Sequence, residues 1–144
     1  MNFIVPITKG PSLVHVVDDD SGIRTALDWV LTNAGHSVRL HESGRGFLGA
    51  LELRESGCVI TDMRMPGMSG LDLLAAMKML DIALPVIVMT AYGEVPLAVA
   101  AMKLGAVDFL EKPFETAVVI AAVGWALGGP VRRRPRMAGI RASG

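Results

Sequence analysis

The sequence lacks the features that mark secreted and membrane-spanning proteins. Cys58 is the single cysteine among 144 residues, so no internal disulfide can form, and its place in an apolar run suggests a buried side chain in a reducing compartment. The N-terminus has no positively charged start followed by a long apolar core, and no apolar run reaches the length of a membrane span. These absences predict a cytoplasmic protein with no membrane association.

Charge is scarce and unevenly distributed. Charged residues make up 19% of the chain against 51% hydrophobic residues, which supply enough apolar surface for one core. All 14 acidic residues precede residue 128, whereas five arginines follow it. We therefore expect a loose lead-in over residues 1–11, one compact domain over residues 12–127, and a basic, disordered tail over residues 128–144.

The hydrophobic pattern alternates between two periods. Short apolar runs rich in β-branched residues predict strands, and apolar residues spaced three and four apart predict helices. Predicted strands cover residues 12–17, 36–41, 57–61, 84–90 and 106–110, and predicted helices cover residues 21–34, 43–55, 69–80, 95–104 and 115–127. This alternation indicates right-handed βαβ crossovers, and therefore an α/β fold with a doubly wound, five-stranded parallel sheet.

Polar side chains stand at the carboxyl ends of four predicted strands. They are Asp18 and Asp19 after the first strand, Asp62 after the third, Thr90 after the fourth and Lys112 just past the fifth. The second strand contributes nothing similar, as expected for strand order 2-1-3-4-5, in which strands one and three flank the crevice where ligands bind. Three close carboxylates would repel one another unless a hard cation such as Mg²⁺ lay among them. Taken alone, Asp62 could equally be a loop cap.

Four motifs over about residues 12–127 resemble the receiver domain of bacterial two-component response regulators, close to the FixJ-type receivers. They are Val17-Asp18-Asp19, Asp62-Met63-Arg64-Met65-Pro66-Gly67-Met68-Ser69-Gly70, Met89-Thr90-Ala91 and Asp108-Phe109-Leu110-Glu111-Lys112-Pro113-Phe114. Their order and spacing both match the family. The resemblance implies the flavodoxin/CheY-like (βα)5 fold and a phosphoprotein of a phosphorelay signal transduction pathway.

The resemblance also implies a metal site and a phosphoacceptor. Asp62 would accept the phosphoryl group. Asp18, Asp19, Asp62 and the backbone carbonyl of Arg64 would bind Mg²⁺ (or Mn²⁺). The positive charge of the cation would offset the negative charges of Asp62 and of the incoming phosphoryl group.

Further residues of the motifs would hold the phosphoryl group and respond to it. By resemblance, Thr90 and Lys112 bind the phosphoryl oxygens, and Thr90 and Phe109 form the switch, Phe109 as its rotating aromatic ring. The Lys112–Pro113 peptide bond would be cis, as in the family. Arg64 and Tyr92, two residues after Asp62 and Thr90, would tune the lifetime of the phosphoryl group.

The expected function is a signalling switch that takes a phosphoryl group from a sensor histidine kinase in a transcription-regulating two-component system. Such a switch phosphorylates and dephosphorylates itself and is not a turnover enzyme. A phosphohydrolase using an aspartyl-phosphate is one alternative, but those enzymes usually place a second acid where this chain has Arg64. A degenerate receiver that binds proteins without phosphorylation is another, and the complete set of site residues argues against it.

The last two predicted helices carry little charge for surface elements. Residues 116–131 include no charged side chain, and the helix over residues 95–104 has only Lys103, although an exposed helix face is normally charged. Candidate outward apolar residues are Val95, Leu97, Val99, Ala117, Ile120, Ala121 and Trp125. We therefore expect a homodimer or an output partner to bind through the fourth helix, fifth strand and fifth helix. FixJ-type regulators continue into a DNA-binding domain, and we expect none within these residues. Such a domain could instead cover the surface.

Overall fold

A computed structural model describes residues 13–52 and 56–128 of the chain. The predicted lead-in and, apart from Gly128, the basic tail lie outside the described residues. The strands are β1 (Leu13–Val17), β2 (Ser37–His41), β3 (Cys58–Asp62), β4 (Val86–Ala91) and β5 (Asp108–Lys112). The helices are α1 (Ser21–Asn33), α2 (Gly44–Ala50), α3 (Gly70–Met79), α4 (Val95–Lys103) and α5 (Thr116–Ala126). None of the helices in the described ranges is long and apolar enough to span a bilayer.

The five strands form one parallel sheet in the order β2-β1-β3-β4-β5, which confirms the predicted topology. Val17 of β1 pairs with Thr61 of β3, so the residues that follow, Asp18 and Asp62, lie side by side at the carboxyl edge. Asp62 in turn pairs with Met89, which precedes Thr90 in β4. The register of the central strands therefore brings the predicted site residues to one edge.

Each face of the sheet is covered by its own apolar core. Helices α2, α3 and α4 pack on one face, with Phe47, Leu73 and Phe109 among the buried side chains. Helices α1 and α5 pack on the other face, with Leu27 and Val123 in the core. Burial on both faces explains why the central strands are continuous apolar runs.

Most elements differ from their predicted bounds by one or two residues, and the differences in α2 and β5 have clear physical reasons. Helix α2 ends at Ala50 rather than near residue 55, and Leu51 is already extended. Three of the seven residues of α2 are glycines, which favour helix least among residues other than proline. Strand β5 runs to Lys112 rather than stopping at Leu110, because its pairing with β4 continues to Ala91. Backbone pairing, not side-chain polarity, decides where β5 ends.

Candidate functional site

Three carboxylates meet at the carboxyl edge of β1 and β3. One oxygen from each of Asp18, Asp19 and Asp62 lies within 4.8 Å of the others. Asp18 is fully buried, Asp62 is nearly so, and Asp19 is exposed. The structure thus brings together the three acids that the sequence places at the ends of two different strands.

Asp18 is the most deeply buried of these acids. Its Oδ1 accepts a hydrogen bond from the Asp20 amide at 2.9 Å, whereas its Oδ2 has no hydrogen-bond partner among residues 13–52 and 56–128. Burial raises the pKa of Asp18 above its ordinary value, and the negative charges of Asp62 and Asp19 raise it further. The hydrogen bond from the Asp20 amide and the charge of Lys112 lower this pKa, but by less. A buried carboxylate oxygen without a hydrogen bond is costly. An oxygen-only ligand set with such an atom fits a hard divalent cation.

Lys112 reaches the acids from the end of β5. Its Nζ lies 3.1 Å from Asp62 Oδ1 and 3.6 Å from Asp18 Oδ2. Partial burial lowers the pKa of Lys112, but the hydrogen bond and charge of Asp62, with the charge of Asp18, outweigh this and raise it overall. The ammonium therefore stays protonated and offsets part of the negative charge. The peptide bond to Pro113 is cis, as predicted.

Asp62 is held by its own loop as well as by Lys112. Its Oδ1 accepts a hydrogen bond from the Met63 amide at 2.9 Å, in addition to the contact with Lys112. Both contacts engage Oδ1 and neither engages Oδ2. The first turn of α3 packs against the Asp62 backbone at Gly70, whose amide donates to the Met63 carbonyl at 2.9 Å.

The predicted switch residues belong to β4 and β5. Thr90 is buried, and its Oγ1 has no hydrogen-bond partner in the part of the chain that the structure describes. The following residue, Ala91, is exposed and small. Phe109 is buried in the apolar core under α4. The roles of Thr90 and Phe109 in switching, like that of the Arg64 backbone carbonyl as a metal ligand, stay predictions.

The two predicted lifetime-tuning residues point outward. Tyr92 is 80% exposed. The Arg64 guanidinium forms a two-pronged contact with Glu94, with Nη2 at 2.6 Å from Oε2 and Nε at 3.3 Å from Oε1. This hydrogen bond raises the pKa of Arg64 and lowers that of Glu94. Sequence reasoning missed Glu94, for which the only signal is an acid directly before the helix start at Val95.

Arg24 is a second residue that the sequence did not reveal. Its Nη1 donates to the Asp18 backbone carbonyl at 2.7 Å, and its Nη2 lies 4.0 Å from Glu42. These contacts hold the β1–α1 loop in place from within α1. A basic residue six positions after Asp18 is the only signal in the sequence.

Comparison with known proteins agrees with the fold. A model of the response regulator receiver domain matches residues 14–124. The transcriptional regulatory proteins FixJ of Azorhizobium caulinodans and of Bradyrhizobium diazoefficiens are 52% and 48% identical to the chain, over 80% and 81% of its length. Those alignments cover 54% and 58% of the two proteins, so the chain spans about half the length of these relatives.

Solved structures give the same result. The crystal structure of FixJ-N is similar with a TM-score of 0.79 and 45% identity, over 85% of this chain and 98% of that one. The sheet order, the acids at its carboxyl edge and these relatives all agree with a CheY-like receiver domain. The chain belongs to the family of response regulator receiver domains, and within it is of the FixJ type.

Proposed function

We propose that this receiver accepts a phosphoryl group on Asp62 from a sensor histidine kinase, with Mg²⁺ (or Mn²⁺) bound at Asp18, Asp19, Asp62 and the Arg64 backbone carbonyl. The observation that carries the proposal is the convergence of two further acids and the Lys112 ammonium on Asp62. That set combines a nucleophile, oxygen ligands for a cation and a fixed positive charge. A cytoplasmic location is part of the same proposal.

The geometry supports attack by Asp62 Oδ2. Oδ1 already accepts from Lys112 and from the Met63 amide, which leaves Oδ2 to form the bond to phosphorus while the bond from phosphorus to the donor nitrogen breaks. When bound, the cation supplies positive charge to the phosphoryl oxygens. In this proposal Lys112 and the Thr90 hydroxyl donate to those oxygens, since electrostatic positioning is the main source of catalysis in phosphoryl transfer.

The output surface of the proposal comprises α4, β5 and α5. Val95, Val118 and Ile120 are 43%, 37% and 36% exposed, and no charged residue of α5 breaks the patch. Trp125, one of the candidate outward residues, is instead buried. We propose that a homodimer or an output partner binds here more tightly when Asp62 is phosphorylated. Sedimentation with Mg²⁺, with and without beryllofluoride, tests this, and a monomer in both states at high concentration would rule out the homodimer.

Phosphoryl acceptance is tested by intact mass after incubation with acetyl phosphate. We expect the mass of one phosphoryl group to be added in the presence of Mg²⁺, and none in EDTA or in Asp62→Asn. Labelling of Asp62→Asn at the wild-type level would contradict the proposal. A matched control is Asp81→Asn, which removes an exposed acid beyond the C-terminal end of α3.

A further inference from the structure

One exposed ion pair joins the two loops that border the acceptor. Arg64 belongs to the β3–α3 loop and Glu94 to the β4–α4 loop, and three atom pairs between 2.6 and 3.3 Å connect them. Glu94 occupies the N-cap position of α4, yet its side chain makes no capping hydrogen bond. Its carboxylate is thus directed to Arg64 instead of to the first turn of its own helix.

A second hydrogen bond ties the β4–α4 loop to β5. The Gly93 amide donates to Glu111 Oε2 at 2.9 Å. The loop starts directly after β4, which carries Thr90. Thr90 can donate to a phosphoryl group only if this segment adopts the right position. Because the Arg64–Glu94 pair connects this segment to the β3–α3 loop, it influences that position.

Arg64 has a second potential partner close by. It lies two residues after Asp62, and a guanidinium binds phosphoryl oxygens with the same forked geometry that it uses for a carboxylate. A phosphoryl group on Asp62 carries more negative charge than Glu94. Its arrival would therefore compete with Glu94 for the same side chain.

We propose that Glu94 is a positioning residue that withholds Arg64 from the acceptor until a phosphoryl group draws it away. Transfer of Arg64 from Glu94 to the phosphoryl oxygens releases the tie between the two loops. The first turn of α4 is then free to move with Thr90. This role rests on the proposed phosphoryl acceptance at Asp62.

The test is a double-mutant cycle on beryllofluoride affinity at saturating Mg²⁺. We expect Glu94→Gln to tighten beryllofluoride binding about two- to fivefold, which is the range that the loss of one exposed ion pair allows. In the Arg64→Met background the same change should have no effect. The gain in the wild-type background should shrink at high ionic strength, because salt screens exposed charges.

Two further variants separate this role from simple loosening of the loop. Glu111→Met removes the acceptor of the Gly93 amide without changing the Arg64–Glu94 pair, so its effect should be the same with and without Arg64. Exchange of the pair, Arg64→Glu with Glu94→Arg, keeps the loops tied but places a carboxylate beside Asp62. We expect the exchanged protein to bind beryllofluoride more weakly than wild type, whereas a purely mechanical tie predicts wild-type affinity.

The outcomes are distinguishable. Wild-type protein that does not bind beryllofluoride would refute acceptance at Asp62, and the role of Glu94 with it. Wild-type binding with no response to Glu94→Gln, or with an equal response in the Arg64→Met background, would refute the role of Glu94 alone.

Discussion

Replacing Gly70 by alanine should displace the acceptor itself. A Cβ at Gly70 would lie 2.6 Å from the Asp62 carbonyl oxygen and 2.9 Å from Met63 Cα, both backbone atoms. An ordinary contact begins at 3.4 Å, so the two segments must separate by roughly 0.8 Å. Overpacking of this kind costs about 1–3 kcal/mol of unfolding free energy, which equals or exceeds the roughly 1 kcal/mol that alanine gains over glycine in a helix.

The chemical effect should be larger than the effect on stability. Asp62 would shift relative to Lys112 and Asp18, and a misplacement approaching 1 Å costs phosphoryl transfer about 10- to 100-fold in rate. The measurement is the rate of labelling by acetyl phosphate with Mg²⁺, alongside urea unfolding of the same protein. Asp62→Asn sets the background.

Gly49→Ala is the matched control. Nothing lies within 4 Å of a Cβ built at Gly49 in α2, so we expect unchanged labelling and unfolding free energy equal to wild type or higher by up to about 1 kcal/mol. Gly70→Ala could instead be labelled by acetyl phosphate at the wild-type rate and unfold in urea like Gly49→Ala. That result would show that the contact between α3 and the Asp62 backbone does not hold Asp62 in position.

Two substitutions and one reactivity measurement test the electrostatics of the site and core. Without Mg²⁺, Lys112→Met should lower the unfolding free energy by about 1–2 kcal/mol. This loss is smaller than that from breaking a fully buried ion pair, because 27% of the Lys112 side chain is exposed. Unchanged urea unfolding would contradict this prediction. The pKa of Asp18 is higher in the folded protein than its ordinary value. Asp18 therefore stabilises the fold when the pH is below the ordinary pKa, and this stabilisation is lost as the pH rises through the raised pKa. Asp18→Asn should therefore increase the melting temperature at neutral pH without Mg²⁺ and remove the stabilisation by Mg²⁺. Burial raises the pKa of Cys58 to about 12, so at about pH 8 the native thiol should react with a disulfide reagent at least about tenfold more slowly than the urea-unfolded thiol.

The sequence was sufficient for the sheet and for the residues that gather at its edge. Each central strand is an apolar run that ends on a polar side chain, and parallel strands bring those ends together. The end of β5 was misplaced because Glu111 and Lys112 look like loop residues although their backbone pairs with β4. Pairing between strands is not a property of either segment alone.

Contacts between loops could not be predicted. Arg64 and Glu94 are 30 residues apart, and their pairing depends on side-chain conformations that no periodic pattern encodes. The burial of Trp125 could not be predicted for a different reason. Helix α5 carries apolar residues on all sides, so its sequence does not indicate which face packs on the sheet.

The most direct measurement is chemical identification of the phosphorylated residue. Borohydride reduces an aspartyl phosphate to homoserine, which peptide mass spectrometry locates. After acetyl phosphate and Mg²⁺, we expect homoserine at position 62 alone, and none without Mg²⁺. Homoserine at Asp18 or Asp19, or no homoserine in protein that binds Mg²⁺, would contradict Asp62 as the acceptor.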